Sequence, residues 1–235
     1  MMNVTNAAQT NRLHYTLGMK EVWLIRHAES TANAGAATYS PETIPLTEKG
    51  LEQAQAVANQ ISRRPDLIVV SPFLRSKQTA APLIARHPDV SVEEWNVQEF
   101  TYLAPDHCHN TTLNDRKPLV DAYWSRNDPK YCDGTGAESF ADLMSRAQAS
   151  VAQIKKPEDK FVVIVSHGQF IRAVIWLMLH ELDEMKIETM TGFHCFLEAV
   201  TVPNAAIFKI RLSEDNEVFF SRISESYLAP NLLTG

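Results

Sequence analysis

Short, almost wholly apolar runs alternate along this chain with longer stretches whose apolar positions recur every three or four residues. Glu21–Ile25 (EVWLI), Leu67–Val70 (LIVV) and Phe161–Val165 (FVVIV) carry no inside/outside alternation, which predicts strands covered on both faces, as in a parallel sheet. Between and after them, helical spacing predicts Thr47–Ser62 with Thr47 as its N-cap, Arg75–Arg86, Ser139–Ile154, and Phe170–His180. In Ser139–Ile154 the apolar face is Phe140, Leu143, Ala147 and Val151. Ser91–Trp95 (SVEEW) predicts an edge strand, because two adjacent glutamates are costly in a sheet interior. Ala205–Leu212 and Val218–Ile223 predict two more strands, antiparallel through the turn at Glu214, Asp215 and Asn216. Strand and helix in alternation give an α/β fold: three α/β/α layers, a mostly parallel central sheet and helices on both faces.

One long segment breaks the rhythm. Glu99–Gly136 is rich in Pro, Asn and Asp yet keeps its aromatics, so residues 99–137 are expected to form an insertion, a lid over the carboxyl edge of the sheet. Residues 1–18 are polar and are expected to be a loose N-terminal extension, with Met19 as an alternative start and residues 19–235 as a single domain. They lack the apolar core of a secretory signal, and the longest apolar runs, near Phe161–Val165 and Ala173–Leu179, fall far short of the roughly 20 residues of a membrane span. A cytoplasmic protein with no membrane association is expected. Cys108, Cys132 and Cys195 are odd in number and widely spaced, which fits a reducing compartment better than a disulfide framework.

Charge narrows the partners. With 22 Lys and Arg against 28 Asp and Glu, the net charge is −6, and a broad nucleic-acid surface is not expected. Any anion site must be local, and the endings of the apolar runs supply one. The first ends in Arg26-His27, the second in Ser71-Pro72 with Arg75 just beyond, and the third in Ser166-His167-Gly168. Ligands of open α/β sheets bind outside the carboxyl ends of the strands, where these endings gather. Two arginines suit a phosphate, because each guanidinium forks onto its oxygens and keeps its charge at neutral pH. Gly168 at a helix start adds backbone N–H groups. A histidine in such a pocket can attack phosphorus, and Glu99 is placed to protonate the leaving oxygen. This chemistry calls for no metal and no other cofactor.

These residues carry a resemblance. LIRHAESTAN at Leu24–Asn33 resembles the Arg-His-Gly-Glu-x-x-x-Asn signature of the histidine phosphatase superfamily, the phosphoglycerate-mutase-like proteins of branch 1. LTEKGLEQAQ, SPFLRSKQTA, GAESFADLMSRA and VIVSHG come next in the family's order, so the resemblance spans about Val22–Ile223. It implies that His27 becomes phosphohistidine, that Arg26, Arg75 and His167 complete the phosphate pocket, that Asn33 contacts phosphate, and that Glu99 is the acid/base carboxylate. The chain departs from the pattern at Ala28, where the family has glycine, which puts an extra methyl beside the phosphate. The segment AGAATYSPETIP after Asn33 lacks the Arg and Trp/Asp pattern of glycolytic mutases, which favours phosphatase over mutase.

The expected function is hydrolysis of a small phosphorylated metabolite through phosphohistidine, with a phosphoprotein as another substrate class. The alternatives are a phosphoglycerate-type mutase and a phospho-ligand-binding protein with little turnover. His107, Cys108 and His109 are too close in sequence to close a tetrahedral metal site. Arg116, Lys117, Arg126 and Lys130 are expected to be solvated lid charges, and Trp176–Leu179 helix core. Phe193, Phe196 and Leu197, in a weakly patterned region, are expected to be exposed and to form a homodimer contact.

Overall fold

The computed structural model describes residues 19–156, 158–180 and 186–234, so the expected extension at residues 1–18 lies outside the described residues. Six strands form one sheet: β1 (Lys20–Arg26), β2 (Leu67–Val70), β3 (Ser91–Glu94), β4 (Phe161–Ser166), β5 (Ile207–Leu212) and β6 (Val218–Phe220), in the order β3-β2-β4-β1-β5-β6. The first four in that order are parallel, and β5 and β6 add antiparallel. Alternate strand residues feed two cores. Val22, Leu24, Val69, Val162 and Ile164 pack on one face, and Trp23, Ile25, Ile68, Val163 and Val165 on the other.

The second face is covered by α1 (Glu48–Gln60) and α2 (Leu74–Arg86), and the first by α5 (Phe140–Ile154) and α6 (Gly168–Leu179). Thr47 caps α1 by accepting from Gly50 N. At the end of α6 the apolar run thins out: Trp176, Leu177 and Met178 are half-buried and Leu179 is exposed, because the helix leaves the core there. Every residue of β3 is exposed, as an edge strand carrying Glu93 and Glu94 should be.

Two further helices lie where the pattern is weakest. Within 99–137 the chain forms the short α3 (Pro105–Cys108) and the 14-residue α4 (Leu113–Arg126). The start of α4 is fixed by a reciprocal cap in which Thr112 accepts from Asp115 N and Asp115 accepts from Thr112 N. The buried residues of α4, Tyr123 and Trp124, are adjacent and give no helical period, and Pro118 sits inside it. The helix α7 (Ile187–Ala199) corrects the expected exposure of Phe193, Phe196 and Leu197. Phe193 is fully buried, 5.4 Å from Phe140 between ring centres, and Phe196 and Leu197 pack half-buried against the same core. Phe193 is therefore a core residue of this chain, not a surface one.

Candidate active site

The register of the sheet brings the site together. Ile25 of β1 and Val70 of β2 both pair with Val165 of β4, so the three strands end level. The residues just beyond these three positions, Arg26-His27, Ser71 and Ser166-His167, therefore meet at one edge. His27 is fixed by its backbone N–H to Ser166 O (2.8 Å), while its carbonyl accepts from Ala205 N and from Asn204 Nδ2 (both 3.2 Å). Its Nδ1 lies 2.7 Å from the Ala28 carbonyl, an acceptor that requires the ring proton on Nδ1. Among the described residues Nε2 has no hydrogen-bond partner, and it is the nitrogen left to meet a ligand in the cavity that His27 lines.

The two imidazoles touch, with ring centres 5.0 Å apart. His167 lies fully buried beneath His27 and is not among the residues lining the cavity. Its Nε2 is 2.8 Å from Ser71 Oγ and 3.1 Å from Ser76 Oγ, and its Nδ1 is buried without a partner. Burial first, and then the Arg75 and Arg26 charges, hold His27 well below the usual histidine range; burial and Arg75 do the same to His167. Both are neutral in the folded protein at neutral pH.

Neutral buried histidines tie stability to pH. Near pH 6.5 the unfolded chain binds protons that the folded chain does not, so stability is complete above that range and falls as pH drops below it. The loss should reach about 1.4 kcal/mol per pH unit for each imidazole. Urea unfolding between pH 7.5 and 5 should show it, and His27→Gln should roughly halve the slope; an unchanged slope would mean that His27 takes up its proton alike in the folded and unfolded chains.

The cations stand around this pair. Arg75 is buried, donates from Nη1 to Pro41 O (2.6 Å), and is pushed down by burial to about 10, so it stays charged at neutral pH. Arg26 donates from Nη1 to Val202 O (2.6 Å), and its buried Nε has no partner. Arg172, one turn into α6, joins them with bonds to the carbonyls of Gly168, Leu197 and Val200. Burial lowers all three guanidiniums, and the Glu99 charge counteracts it in each. Glu99 itself is docked on the start of α6: Oε1 accepts from the backbone N–H of Phe100, Gln169 and Phe170, while Oε2 has a longer 3.4 Å contact with Gln169 N. Glu99 thus takes the Gln169 and Phe170 amides, and Gly168 lines the cavity.

Arg26, His27, Asn33, Arg75, Glu99 and Gly168 all line a single cavity of about 500 Å³. Asn33 does two jobs. Its Oδ1 accepts from Ser30 N, Ser30 Oγ and Asn204 Nδ2, and its Nδ2 is left to donate. Ala28 departs from expectation: it is fully buried, its methyl belongs to the core beneath α1, and it does not line the cavity. Its N–H donates to Thr79 Oγ1 (3.0 Å), which fixes the loop from below.

The segment 99–137 forms one wall, through Tyr102, Leu103, Pro105, Leu113, Arg116 and Val120. Of the lid charges, Lys117 pairs with Asp121 at the surface and Arg126 lies over the Tyr131 ring, whereas Arg116 is half-buried and faces the cavity. Sequence reasoning passes over Arg172, Asn204, Ser71, Ser76 and Thr79. Arg172 alone has a signal, its place one helical turn after Gly168. Asn204 comes from a distant loop, and no local pattern marks it.

The model of the histidine phosphatase superfamily (branch 1) matches residues 22–217. The chain belongs to that family. A metal-independent phosphoserine phosphatase of Arabidopsis thaliana is 30% identical over 161 residues, 66% of this chain and 66% of that protein. The adenosylcobalamin/alpha-ribazole phosphatase of Escherichia coli (strain K12) is 26% identical over 176 residues, 73% of this chain and 83% of that one. Among solved structures, the phosphoserine phosphatase of Entamoeba histolytica in complex with 3-phosphoglyceric acid superposes with a TM-score of 0.68 at 25% identity, covering 89% of this chain and all of that one (100%). This member of the superfamily keeps the Arg-His pair and the late His-Gly at the ends of two adjacent strands, and the second arginine at the start of the helix that follows a third. Among the described residues, no helix is long and apolar enough to cross a membrane.

Proposed function

We propose that this protein is a cytoplasmic, metal-independent phosphatase that hydrolyses phosphomonoesters through a phosphohistidine on His27. One observation carries the reading: a neutral imidazole with Nδ1 tied to the Ala28 carbonyl and Nε2 unbonded lies on a cavity shared with Arg26 and Arg75. Nε2 attacks phosphorus, the N–P bond forms and the P–O bond to the leaving alcohol breaks. Arg26, Arg75 and the Asn33 amide hold the phosphoryl oxygens and stabilise their charge as it grows. The leaving alkoxide takes a proton from Glu99, whose Oε2 is less committed than Oε1; His167, buried with its ring centre 5.0 Å from that of His27, orients and packs His27. Water then attacks the phosphohistidine, Glu99 recovers a proton from it, and inorganic phosphate leaves.

The loop at Tyr39–Glu42 and Ile44 reaches the cavity without a cation, so nothing there meets the carboxylate of a phosphoglycerate. That favours hydrolysis over mutase chemistry. Purified protein should release inorganic phosphate from p-nitrophenyl phosphate in excess EDTA. Loss of turnover on chelation would overturn the metal-independent reading. Conversion of 3-phosphoglycerate to its isomer without free phosphate would replace it with a mutase.

A further inference from the structure

The phosphate end of the cavity occupies little of its roughly 500 Å³, a size that suits ligands larger than a phosphorylated amino acid. The opposite wall is apolar. Leu113, Arg116 and Val120 recur at helical spacing along one face of α4, and Leu103 and Pro105 extend that surface. Ile44 and Phe73 also line the cavity, with Phe73 beside His167 and Arg75.

The arginine heads on this side are tied down, while the amide oxygens of Gln98 and Gln169 are buried without a partner. Arg116 uses Nε and Nη2 on Thr112 O, Thr111 O and Thr38 Oγ1, so its head is tied into the lid while its aliphatic stem lies along the wall. Arg172 spends its head group on three backbone carbonyls. Of the two lining carboxylates, Glu99 is held by backbone amides and Glu42 accepts from Ser40 Oγ. A compact zwitterion such as a phosphorylated amino acid would bring a carboxylate to a region where the Arg116 and Arg172 heads are already bonded to backbone and hydroxyl oxygens. A bulky apolar body would replace water on that wall and bury it.

We infer that the cavity selects phosphomonoesters of large apolar alcohols, bound with the ester carbon chain or ring against Leu103, Leu113 and Val120. The inference rests on the phosphatase reading for its chemistry, while the shape and polarity of the wall stand apart from it.

The test uses primary-alcohol esters only, so that leaving-group reactivity is matched: 2-(1-naphthyl)ethyl phosphate, ethyl phosphate and O-phosphoserine. The naphthyl ester should exceed each of the others by about 100-fold or more in kcat/KM, and Leu113→Asn with Val120→Asn should cut that ratio about tenfold. In parallel, calorimetry measures binding of the uncleavable 3-(1-naphthyl)propylphosphonate against propylphosphonate, with the same ratio expected. Turnover with ratios within threefold, or with O-phosphoserine preferred, overturns the inference and leaves the phosphatase standing. No turnover of any ester, with the phosphonate ratio intact, overturns the phosphatase and leaves the selective cavity.

Discussion

His27→Ala should lower kcat on p-nitrophenyl phosphate by on the order of 10³-fold or more while leaving inhibition by inorganic phosphate nearly intact. The two readouts separate because the cations that hold phosphate are not the group that attacks it. Arg26, Arg75 and Asn33 remain on the cavity after the substitution, so affinity for the anion persists. The second imidazole gives no replacement nucleophile: His167 is fully buried, lies beneath the cavity lining, and has its Nε2 against Ser71 and Ser76. Residual turnover would come from water attacking a phosphate that the arginines still polarise. Wild-type protein quenched during turnover should carry an acid-labile, base-stable phosphoryl group that the variant lacks. Because burial and two arginines keep His27 neutral well below the usual histidine range, the acid limb of the wild-type pH profile should not begin at pH 6.5. A variant that retains turnover, or a phosphoryl group found on another residue, would remove His27 from the role.

The parts of this molecule legible in the sequence are those where one local rule decides. Apolar runs with no alternation specify strands covered on both sides, and the abrupt charges at their ends mark the carboxyl edge, so Arg26, His27, Arg75 and His167 stand out from sequence pattern alone. Thr47 is legible as a cap because its side chain acts within its own turn. Position is legible where depth is not. Whether His167 faces the ligand or supports His27 depends on how β2 and α2 bring Ser71 and Ser76 against it, which is tertiary information. The helix α4 escapes a periodicity reading because its buried residues, Tyr123 and Trp124, are neighbours, and their burial depends on Phe100, Tyr102 and Phe140 packing around them. For the same reason Phe193 passes for a surface residue. Ala28 shows the opposite error: a motif comparison gives weight to one methyl, and packing turns that methyl into the core.

Gly50→Ala should destabilise the protein by about 2 kcal/mol and lower kcat by tenfold or more, although alanine is the better helix former by about 1 kcal/mol. Gly50 lies in the first turn of α1, where the loop after the nucleophile comes down onto the helix. A Cβ built there would stand 2.0 Å from the Glu29 carbonyl oxygen and 3.0 Å from its carbon. Those are backbone atoms, so no side-chain rotation relieves the overlap. The Glu29 carbonyl also accepts from Thr47 N (3.0 Å), and Glu29 N donates to Gln53 Oε1 (2.7 Å), so the loop is fastened to α1 at the place the methyl would enter. The chain must give by moving the loop, and Glu29 is two residues from His27. A displacement of the order of 1 Å at a nucleophile costs about a hundredfold in favourable cases, so activity should fall more steeply than stability. For a chain of this size, about 2 kcal/mol corresponds to a Tm shift of roughly 4–8 °C. Thermal unfolding and steady-state kinetics on the same preparation decide it. A Gly50→Ala protein with wild-type Tm and kcat would show that the loop is not held by this close approach, and that the bonds of His27 to Ser166, Asn204 and Ala205 suffice to position it.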